Sequence, residues 1–366
     1  MSRNSNFEYA FVNVFQLGQT PILCQFADSE LNEKLGTYMM RAAYYEKLGA
    51  ASDTLRIGNV DTPEPGPGEV RLRIHTSGVN PSDVKARQFG RGGGMPYPLI
   101  IPQSDGAGVI DAVGDGIASG RIGRRAWVMN GQYGRPFGTS AEYIVMPEKY
   151  VIDLPDGPDF AEAACFGIPF LTAWRAVTMF GDVSGKDILI QGGAGAVAQH
   201  AIQVAKRKGA RVLTSISSQE KAEYAKAAGA DIALNYRDDD FAAQVLNETG
   251  GKGADLIVEV NVSGNSPTYA DILGERGKVV IYGTSDATAQ VPGMAFIRKG
   301  ATLKWFIVYE ISDEERDQGV AELNAMLSEG ALETKIAKRF SLDETIAAHE
   351  AVEKAAYIGN IVVEVD

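Results

Sequence analysis

One segment constrains the fold of this 366-residue chain more than any other, the stretch from Asp187 to Gly209. An apolar run over 188–190 leads into a cluster of glycines. The residues that follow place apolar side chains on one face of a helix with a period of about 3.6 residues. The order is therefore strand, tight turn, helix. The apolar helix positions are Val197, Ala201, Val204 and Ala205.

The turn itself, residues 193–198, fits the pattern G-x-G-x-x-G/A. Gly193 is predicted to permit the tight turn, Gly195 to let a pyrophosphate approach the backbone, and Ala198 to let the helix lie close to the strand. The helix N-terminus then faces the phosphates. Because a strand precedes the motif and another begins at Arg211, we predict dinucleotide binding rather than a connecting turn. The predicted contacts are Gly193, Ala194, Gly195, Ala196 and Val197.

The rest of the chain shows two patterns, which together predict an α/β protein. From Met40 to about Pro155, short apolar runs are broken by Pro and Gly, which is typical of an all-β module of barrel or sandwich type. Beyond that point strands alternate with helices, which indicates a doubly wound parallel sheet. Strands are predicted at 211–215, 232–234, 255–260, 278–282 and 303–308, helices at 158–167, 168–177, 313–329 and 342–355, and a closing strand at 361–365.

Residues 1–38 continue neither pattern, because Asn and Gln interrupt their apolar residues. They match neither a signal peptide nor a clean amphipathic helix. We interpret them as a loosely attached, disordered extension or as the product of an upstream start codon. The alternative is a partner-binding arm.

The amino-acid composition restricts the binding partners and the cellular compartment that we expect for this protein. The net charge of −12 disfavours duplex nucleic acid and anionic membranes as partners. No apolar run reaches the length that spans a membrane. The two cysteines, Cys24 and Cys165, are far apart and lack metal-like spacing, which favours a reduced, cytoplasmic setting.

The second strand-to-helix turn predicts which dinucleotide is bound. An NAD site usually carries Asp or Glu about twenty residues past the glycines, whereas a 2′-phosphate needs donors instead. Here the strand ends in Ser217, Ser218 and Lys221. The segment 217–220 also fits a capping box in which Ser217 only caps the helix. Both roles are compatible, because a capped helix N-terminus with a lysine in its first turn can bind phosphate. We predict NADPH.

Metal chemistry is not predicted. A structural zinc usually needs four clustered cysteines and a catalytic zinc three protein ligands. His75, His200 and His349 are scattered along the chain and are interpreted as packed or surface histidines. No nucleophile motif is present.

Several further segments complete a resemblance to a known family. They are Ser77-Gly-Val-Asn-Pro-Ser-Asp83, Ile101-Pro-Gln-Ser-Asp-Gly-Ala-Gly-Val109, Leu171-Thr-Ala-Trp174, Ala228-Gly-Ala-Asp231, Leu234-Asn-Tyr-Arg237 and Ala347-Ala-His349. With the glycine motif, they resemble the zinc-independent quinone oxidoreductase (zeta-crystallin-like) branch of the medium-chain dehydrogenase/reductase superfamily. The resemblance implies a GroES-like β-barrel catalytic domain over 39–167, completed by 306–366, a Rossmann domain over 168–305, and a homodimer.

The resemblance also implies roles for individual residues. Asn80 lines the substrate and nicotinamide pocket and is the catalytic candidate, although an Asx turn before Pro81 is the alternative. Tyr236 joins Ser217 and Lys221 at the 2′-phosphate, or is a packed aromatic. The remaining cofactor contacts that the resemblance implies are Thr172, Gly283, Thr284 and Asn360.

Two departures from the family pattern concern the substrate end. Lys85 stands where some relatives carry a tyrosine, and the loop 90–97 has its own run of glycines. Tyr97 and Tyr133 are the candidate proton donors, because a phenol can donate and both lie in glycine-flanked loops. These residues are predicted to lie at the substrate pocket.

The function that follows is hydride transfer from NADPH to a quinone or another activated enone without zinc. The nearest alternative is an enoyl-thioester or small-enone (2-alkenal) reductase. An alternative of another class is an NADPH-binding structural or regulatory protein with little turnover.

Overall fold

The structure, a computed structural model, describes residues 38–366. The predicted extension over 1–38 lies, except for its last residue, outside the described residues, as does Cys24. The strands are β1 (Met39–Tyr44), β2 (Arg56–Asp61), β3 (Glu69–Val79), β4 (Asp105–Val113), β5 (Arg125–Val128), β6 (Tyr143–Pro147), β7 (Val151–Asp153), β8 (Asp187–Ile190), β9 (Arg211–Ile216), β10 (Ile232–Asn235), β11 (Ala254–Glu259), β12 (Leu273–Ile281), β13 (Thr302–Trp305), β14 (Ile336–Ser341) and β15 (Asn360–Glu364).

Helices connect these strands, and no helix among the described residues is long and apolar enough to cross a membrane. The α-helices are α1 (Ala51–Thr54), α2 (Pro81–Phe89), α3 (Phe160–Ala163), α4 (Leu171–Thr178), α5 (Ala196–Arg207), α6 (Gln219–Ala227), α7 (Phe241–Glu248), α8 (Val262–Asn265), α9 (Tyr269–Ile272), α10 (Gly293–Lys299), α11 (Asp313–Ser328) and α12 (Thr345–Glu353). Short 3₁₀ turns and a π-helical segment, Phe166–Phe170, lie between them.

One large sheet has six parallel strands in the order β10-β9-β8-β11-β12-β13. Counted from β8, this is the order 3-2-1-4-5-6 of a doubly wound fold. The direction of winding reverses between β8 and β11, and ligands of such sheets bind beyond the carboxyl ends of the strands at that point. The predicted parallel sheet is confirmed.

The strands in the middle of this sheet, such as β8, are buried on both faces, which explains their continuous apolar runs. Ile188 and Ile190 point to a core shared with helices α4, α5 and α11. Leu189, between them, points to a second core shared with α7, α9 and α10. Because successive strand side chains face opposite sides, one short apolar run supplies both cores.

The second large sheet has seven strands and is mainly antiparallel. Six of them follow the order β14-β15-β3-β4-β5-β7, and β6 also pairs with β3. The C-terminal strand β15 pairs with β3, so the end of the chain returns to the sheet built by its first half. Alternate residues of β3, Val70, Leu72 and Ile74, are fully buried in its core.

Three features differ from the prediction. Helix α2 lies in the region predicted to be all β, because Pro81 occupies its first turn and the Asp83 carboxylate accepts from the Asn80 N–H (2.9 Å). Strand β14 was not predicted, since its exposed Lys338 and Arg339 hide the apolar pattern. The helices predicted before the glycine motif are interrupted by the π-helical segment. The domain boundaries at 168 and 305 stay a prediction.

Candidate active site

A cavity of about 420 Å³ lies at the carboxyl edge of the parallel sheet, next to helix α2. It is lined by eight residues that the sequence predicted for the site and by others that it did not. The predicted ones are Asn80, Lys85, Thr172, Gly195, Ala196, Val197, Gly283 and Thr284. The others include Ser82, Arg91, Ile168, Gly192, Ala198, Val260, Tyr282, Phe306, Val308 and Tyr309.

The glycine turn forms one wall of this cavity. Gly192 (φ 71°), and not Gly193, has the left-handed backbone conformation in this turn. The prediction that Gly193 supplies the backbone conformation of the tight turn is therefore corrected. Gly193 is needed for a different reason: a Cβ there would lie 2.1 Å from Oγ1 of Thr214 on the neighbouring strand β9. Gly193 and Ala194 are not among the cavity-lining residues.

Gly195 is the N-cap of helix α5, and a Cβ there would approach no atom closer than 3.4 Å. The helix N-terminus therefore opens on the cavity beside a backbone that a ligand can approach. Unpaired N–H groups at such a terminus attract anions. These residues fit a dinucleotide pyrophosphate.

The end of strand β9 carries donors without a carboxylate. The N-cap of α6 is Ser218, whose Oγ accepts from the Lys221 N–H (3.4 Å), so the predicted capping role of Ser217 is wrong. Ser217 is held instead by the Lys221 ammonium, which donates to its Oγ (3.1 Å). A hydroxyl and an ammonium placed together fit a 2′-phosphate.

Strand β10 ends beside this pair, because Asn235 is in register with Ile216. Tyr236 follows it, is half exposed, and donates its backbone N–H to the Ile216 carbonyl (3.0 Å). The Arg237 guanidinium lies 5.9 Å from the centre of the Tyr236 ring. Arg237 is a cation next to the predicted phosphate site that the sequence interpretation overlooked, although it stands in the quoted segment 234–237.

Asn80 is buried at the N-terminus of α2, and its side chain is held by a second buried residue. Its Nδ2 donates to Oδ2 of Asp105 (2.9 Å), whose carboxylate also accepts from the Ile168 backbone N–H (2.9 Å). Burial raises the pKa of Asp105 well above its ordinary value, against the Ile168 hydrogen bond. Asn80 is thus both the N-cap residue of α2 and a cavity residue.

A second buried carboxylate, Asp83, lies in the first turn of the same helix. Burial raises its pKa to about 6, although the hydrogen bond from the Asn80 N–H opposes that shift. One of its oxygens, Oδ1, has no hydrogen-bond partner among the described residues. Burial therefore favours the protonated form of this carboxyl group.

The cavity also contains a cluster that the sequence did not predict. The Tyr309 hydroxyl shares a hydrogen bond with the Ser82 hydroxyl (2.9 Å) and accepts one from Nη2 of Arg91 (3.3 Å). Burial raises the pKa of Tyr309 to about 12. Tyr309 lies 227 residues from Ser82 in the chain, so no local pattern could have joined them.

Four predicted residues have other partners. The Tyr97 hydroxyl donates to the Gly134 carbonyl (2.7 Å), and the Tyr133 hydroxyl donates to Glu310 (2.5 Å). Neither tyrosine is among the lining residues. Lys85 lines the cavity but donates to the Thr284 carbonyl (2.8 Å), and Asn360 lies on β15, where its side chain donates to the Lys335 carbonyl (3.2 Å).

None of the three histidines is among the residues that line the cavity. His200 and His349 are fully buried, and burial lowers their pKa values to about 4 and about 3. His75 pairs with Asp366 (2.7 Å). Over residues 38–366, no group of three or more His, Cys, Asp or Glu side chains is arranged to hold a metal ion.

The parallel sheet is doubly wound, and its glycine turn lies where the winding reverses, facing a cavity beside a second sheet. These features define an α/β protein of the dinucleotide-binding type. Comparisons with known proteins agree. Residues 66–156 match the family described as Alcohol dehydrogenase GroES-like domain, and residues 196–325 match the family described as Zinc-binding dehydrogenase.

Individual proteins are also similar. The human quinone oxidoreductase is 28% identical over 320 residues, covering 87% of this chain and 95% of that protein. The 2-haloacrylate reductase of a Burkholderia species is 30% identical over 342 residues, covering 88% and 98%. A mycobacterial protein solved in complex with NADPH superposes with a TM-score of 0.80 at 25% identity, covering 89% and 100%.

The chain belongs to the zinc-independent quinone oxidoreductase branch of the medium-chain dehydrogenase/reductase superfamily. It is an oxidoreductase of that type. The GroES-like and Rossmann-type parts expected from the sequence are confirmed.

Proposed function

We propose that this protein binds NADPH and reduces a quinone or another activated enone. The observation that carries the proposal is the cavity in which the N-terminus of α5, Asn80 and Thr172 meet. When bound, NADPH supplies a hydride and becomes NADP⁺, and the acceptor gains that hydride and one proton.

The chain's own residues supply binding and orientation. The open backbone at Gly195 and the N-terminus of α5 suit the pyrophosphate, while Ser217 and Lys221 suit the 2′-phosphate. Asn80 and Tyr309 line the same cavity, where a donor would stabilise a developing enolate or quinol oxygen. Water is the proposed source of the proton.

Cofactor choice tests the first part of this proposal. We expect kcat/KM to favour NADPH over NADH, and Lys221→Ala to lower the NADPH value by roughly 10- to 100-fold, since a hydrogen bond to a charged group contributes about 1.5–3 kcal/mol. The NADH value should change little. Lys226→Ala, which removes a lysine at the other end of α6, is the matched control. Equal use of both cofactors in all three proteins would contradict the assignment.

Acceptor choice tests the second part. A panel of quinones, enones and acyl-thioesters, run with both cofactors, separates the proposed reaction from thioester reduction. The similarity to a 2-haloacrylate reductase favours an activated alkene among these acceptors. Tight NADPH binding without turnover on any of them would instead support a structural or regulatory protein.

We also propose that the protein is a cytoplasmic homodimer. Strand β13 forms one edge of the parallel sheet, and its Trp305 side chain is 56% exposed. Met294 and Ile297 of the preceding helix α10 are exposed too. Apolar side chains at an open edge favour pairing with a second copy. The cytoplasmic location rests on the two dispersed cysteines of the sequence.

A further inference from the structure

Arg91 lines the cavity from the glycine-rich loop that follows α2. Its guanidinium lies 4.7 Å from the centre of the Tyr309 ring and 5.2 Å from that of Tyr133, and these two rings stack at 4.4 Å. The aromatic pair therefore holds the cation at a fixed place against the cavity wall.

The hydrogen bonds of Arg91 are to neutral groups. Nη2 donates to the Tyr309 hydroxyl (3.3 Å) and Nε donates to Oε1 of Gln132 (3.4 Å). Within the described residues, no carboxylate forms an ion pair with it at 4.0 Å or less. Asp83 interacts with it by charge at a longer range. The guanidinium thus keeps donors for a further partner.

A partly buried cation in an apolar cavity is stabilised when an anion pairs with it. Guanidinium groups match carboxylates in a planar, two-pronged geometry. Lys85, another cation among the lining residues, is exposed to solvent, whereas Arg91 is partly buried. Arg91 is accordingly the group best placed to recognise a negative charge on the acceptor.

We propose that the acceptor carries a carboxylate, and that Arg91 binds this carboxylate while the activated alkene occupies the cavity beside Asn80. This inference rests on the proposed function and narrows its substrate class from neutral enones to enones with an acidic group. The reaction itself is unchanged.

The test compares two probes with the same enone, 4-oxo-2-pentenoate and its methyl ester. We expect the wild-type kcat/KM to be at least roughly 10-fold higher for the acid, with the difference mainly in KM, since a charged hydrogen bond contributes about 1.5–3 kcal/mol. Arg91→Met should abolish this preference, and Arg91→Lys should retain part of it.

Binding supplies a readout that does not depend on turnover. Calorimetry should show that 4-oxopentanoate, the saturated acid, binds the wild-type protein in the presence of NADP⁺ more tightly than it binds Arg91→Met. Arg124→Met, which removes an exposed positive charge outside the cavity, is the matched control and should keep the preference.

The outcomes separate the two proposals. Turnover of both probes with an equal acid-to-ester ratio in wild type and Arg91→Met overturns the role of Arg91 and leaves the reductase function standing. Arg91-dependent binding of 4-oxopentanoate without turnover of any acceptor supports the anion site and overturns the reductase function. A change in NADPH affinity without a change in the ratio would assign Arg91 to the cofactor and overturn the inference.

Discussion

The side-chain amide of Asn80 donates a 2.9 Å hydrogen bond to the buried carboxylate of Asp105. That carboxylate also accepts from the backbone N–H of Ile168, so it joins helix α2 to the segment that leads into α4. Both Asn80 and Ile168 line the cavity. One buried group therefore positions two parts of the site.

Asp105→Ala should leave two buried donors without partners and destabilise the protein by about 2–4 kcal/mol. Loss of the Asn80 orientation should also lower kcat by roughly 10- to 100-fold, because small misplacements of a positioning group are costly. Urea unfolding and steady-state kinetics measure the two effects. Asp105→Asn keeps an acceptor oxygen, so its stability and kcat should lie between those of the wild type and Asp105→Ala. An unchanged kcat in Asp105→Ala would show that Asp105 has no positioning role.

Gly193→Ala should be poorly tolerated, because the added Cβ would meet Oγ1 of Thr214 at 2.1 Å. We expect a loss of about 1–3 kcal/mol from overpacking, with weaker NADPH binding. The double variant Gly193→Ala/Thr214→Ala should recover part of the loss. Gly120→Ala is the control, since no atom lies within 4 Å of its added Cβ and its φ is not positive. Equal stability of the two single variants would refute the packing explanation.

The buried imidazole of His200 should make the protein less stable in acid. Burial lowers its pKa from 6.5 to about 4, so between these values the unfolded chain binds a proton that the folded chain does not. Its contribution is present above pH 6.5 and is lost as the pH falls toward 4, by an amount on the order of 3 kcal/mol.

Urea unfolding of wild type and His200→Gln at several pH values checks this difference. The variant should lose less stability on acidification than the wild type. Asp83 acts in the opposite sense, because its raised pKa favours the folded state at low pH, but its contribution is common to both proteins and cancels in the comparison. Parallel curves for the two proteins would show that His200 does not contribute.

Trp305→Glu should weaken the proposed dimer, because a charge would replace an exposed aromatic side chain at the open edge of the sheet. Light scattering after size-exclusion chromatography over a range of protein concentrations gives the mass. Ile122→Glu alters a similarly exposed apolar residue outside the parallel sheet and should leave the mass unchanged. A monomeric wild-type protein at all concentrations would rule out the dimer.

Much of the fold can be predicted along the chain. The apolar run 188–190, the glycines after it and the helical spacing beyond them predict strand, turn and helix, and all three are present. A helix start after β9 is likewise predicted, although its cap is Ser218 and not the predicted Ser217. These features depend on neighbours within a few residues, so local propensity and turn chemistry are enough to specify them.

The part of the cavity formed by Arg91 and Tyr309 could not be predicted from the sequence, because it depends on tertiary structure. Arg91 and Tyr309 are 218 residues apart, and nothing near either residue signals the other. The same holds for the need for glycine at position 193, which comes from the approach of Thr214 on the neighbouring strand.

The sequence by itself thus determined the alternation of strands and helices, the place of the glycine turn and the donors that follow it, because each is a local pattern. Only the tertiary structure decided which side chains surround the cavity and which of them already have partners, as Lys85 has in the Thr284 carbonyl. Burial and hydrogen-bond partners are properties of packed, distant segments, and they set the charge and polarity that an acceptor meets.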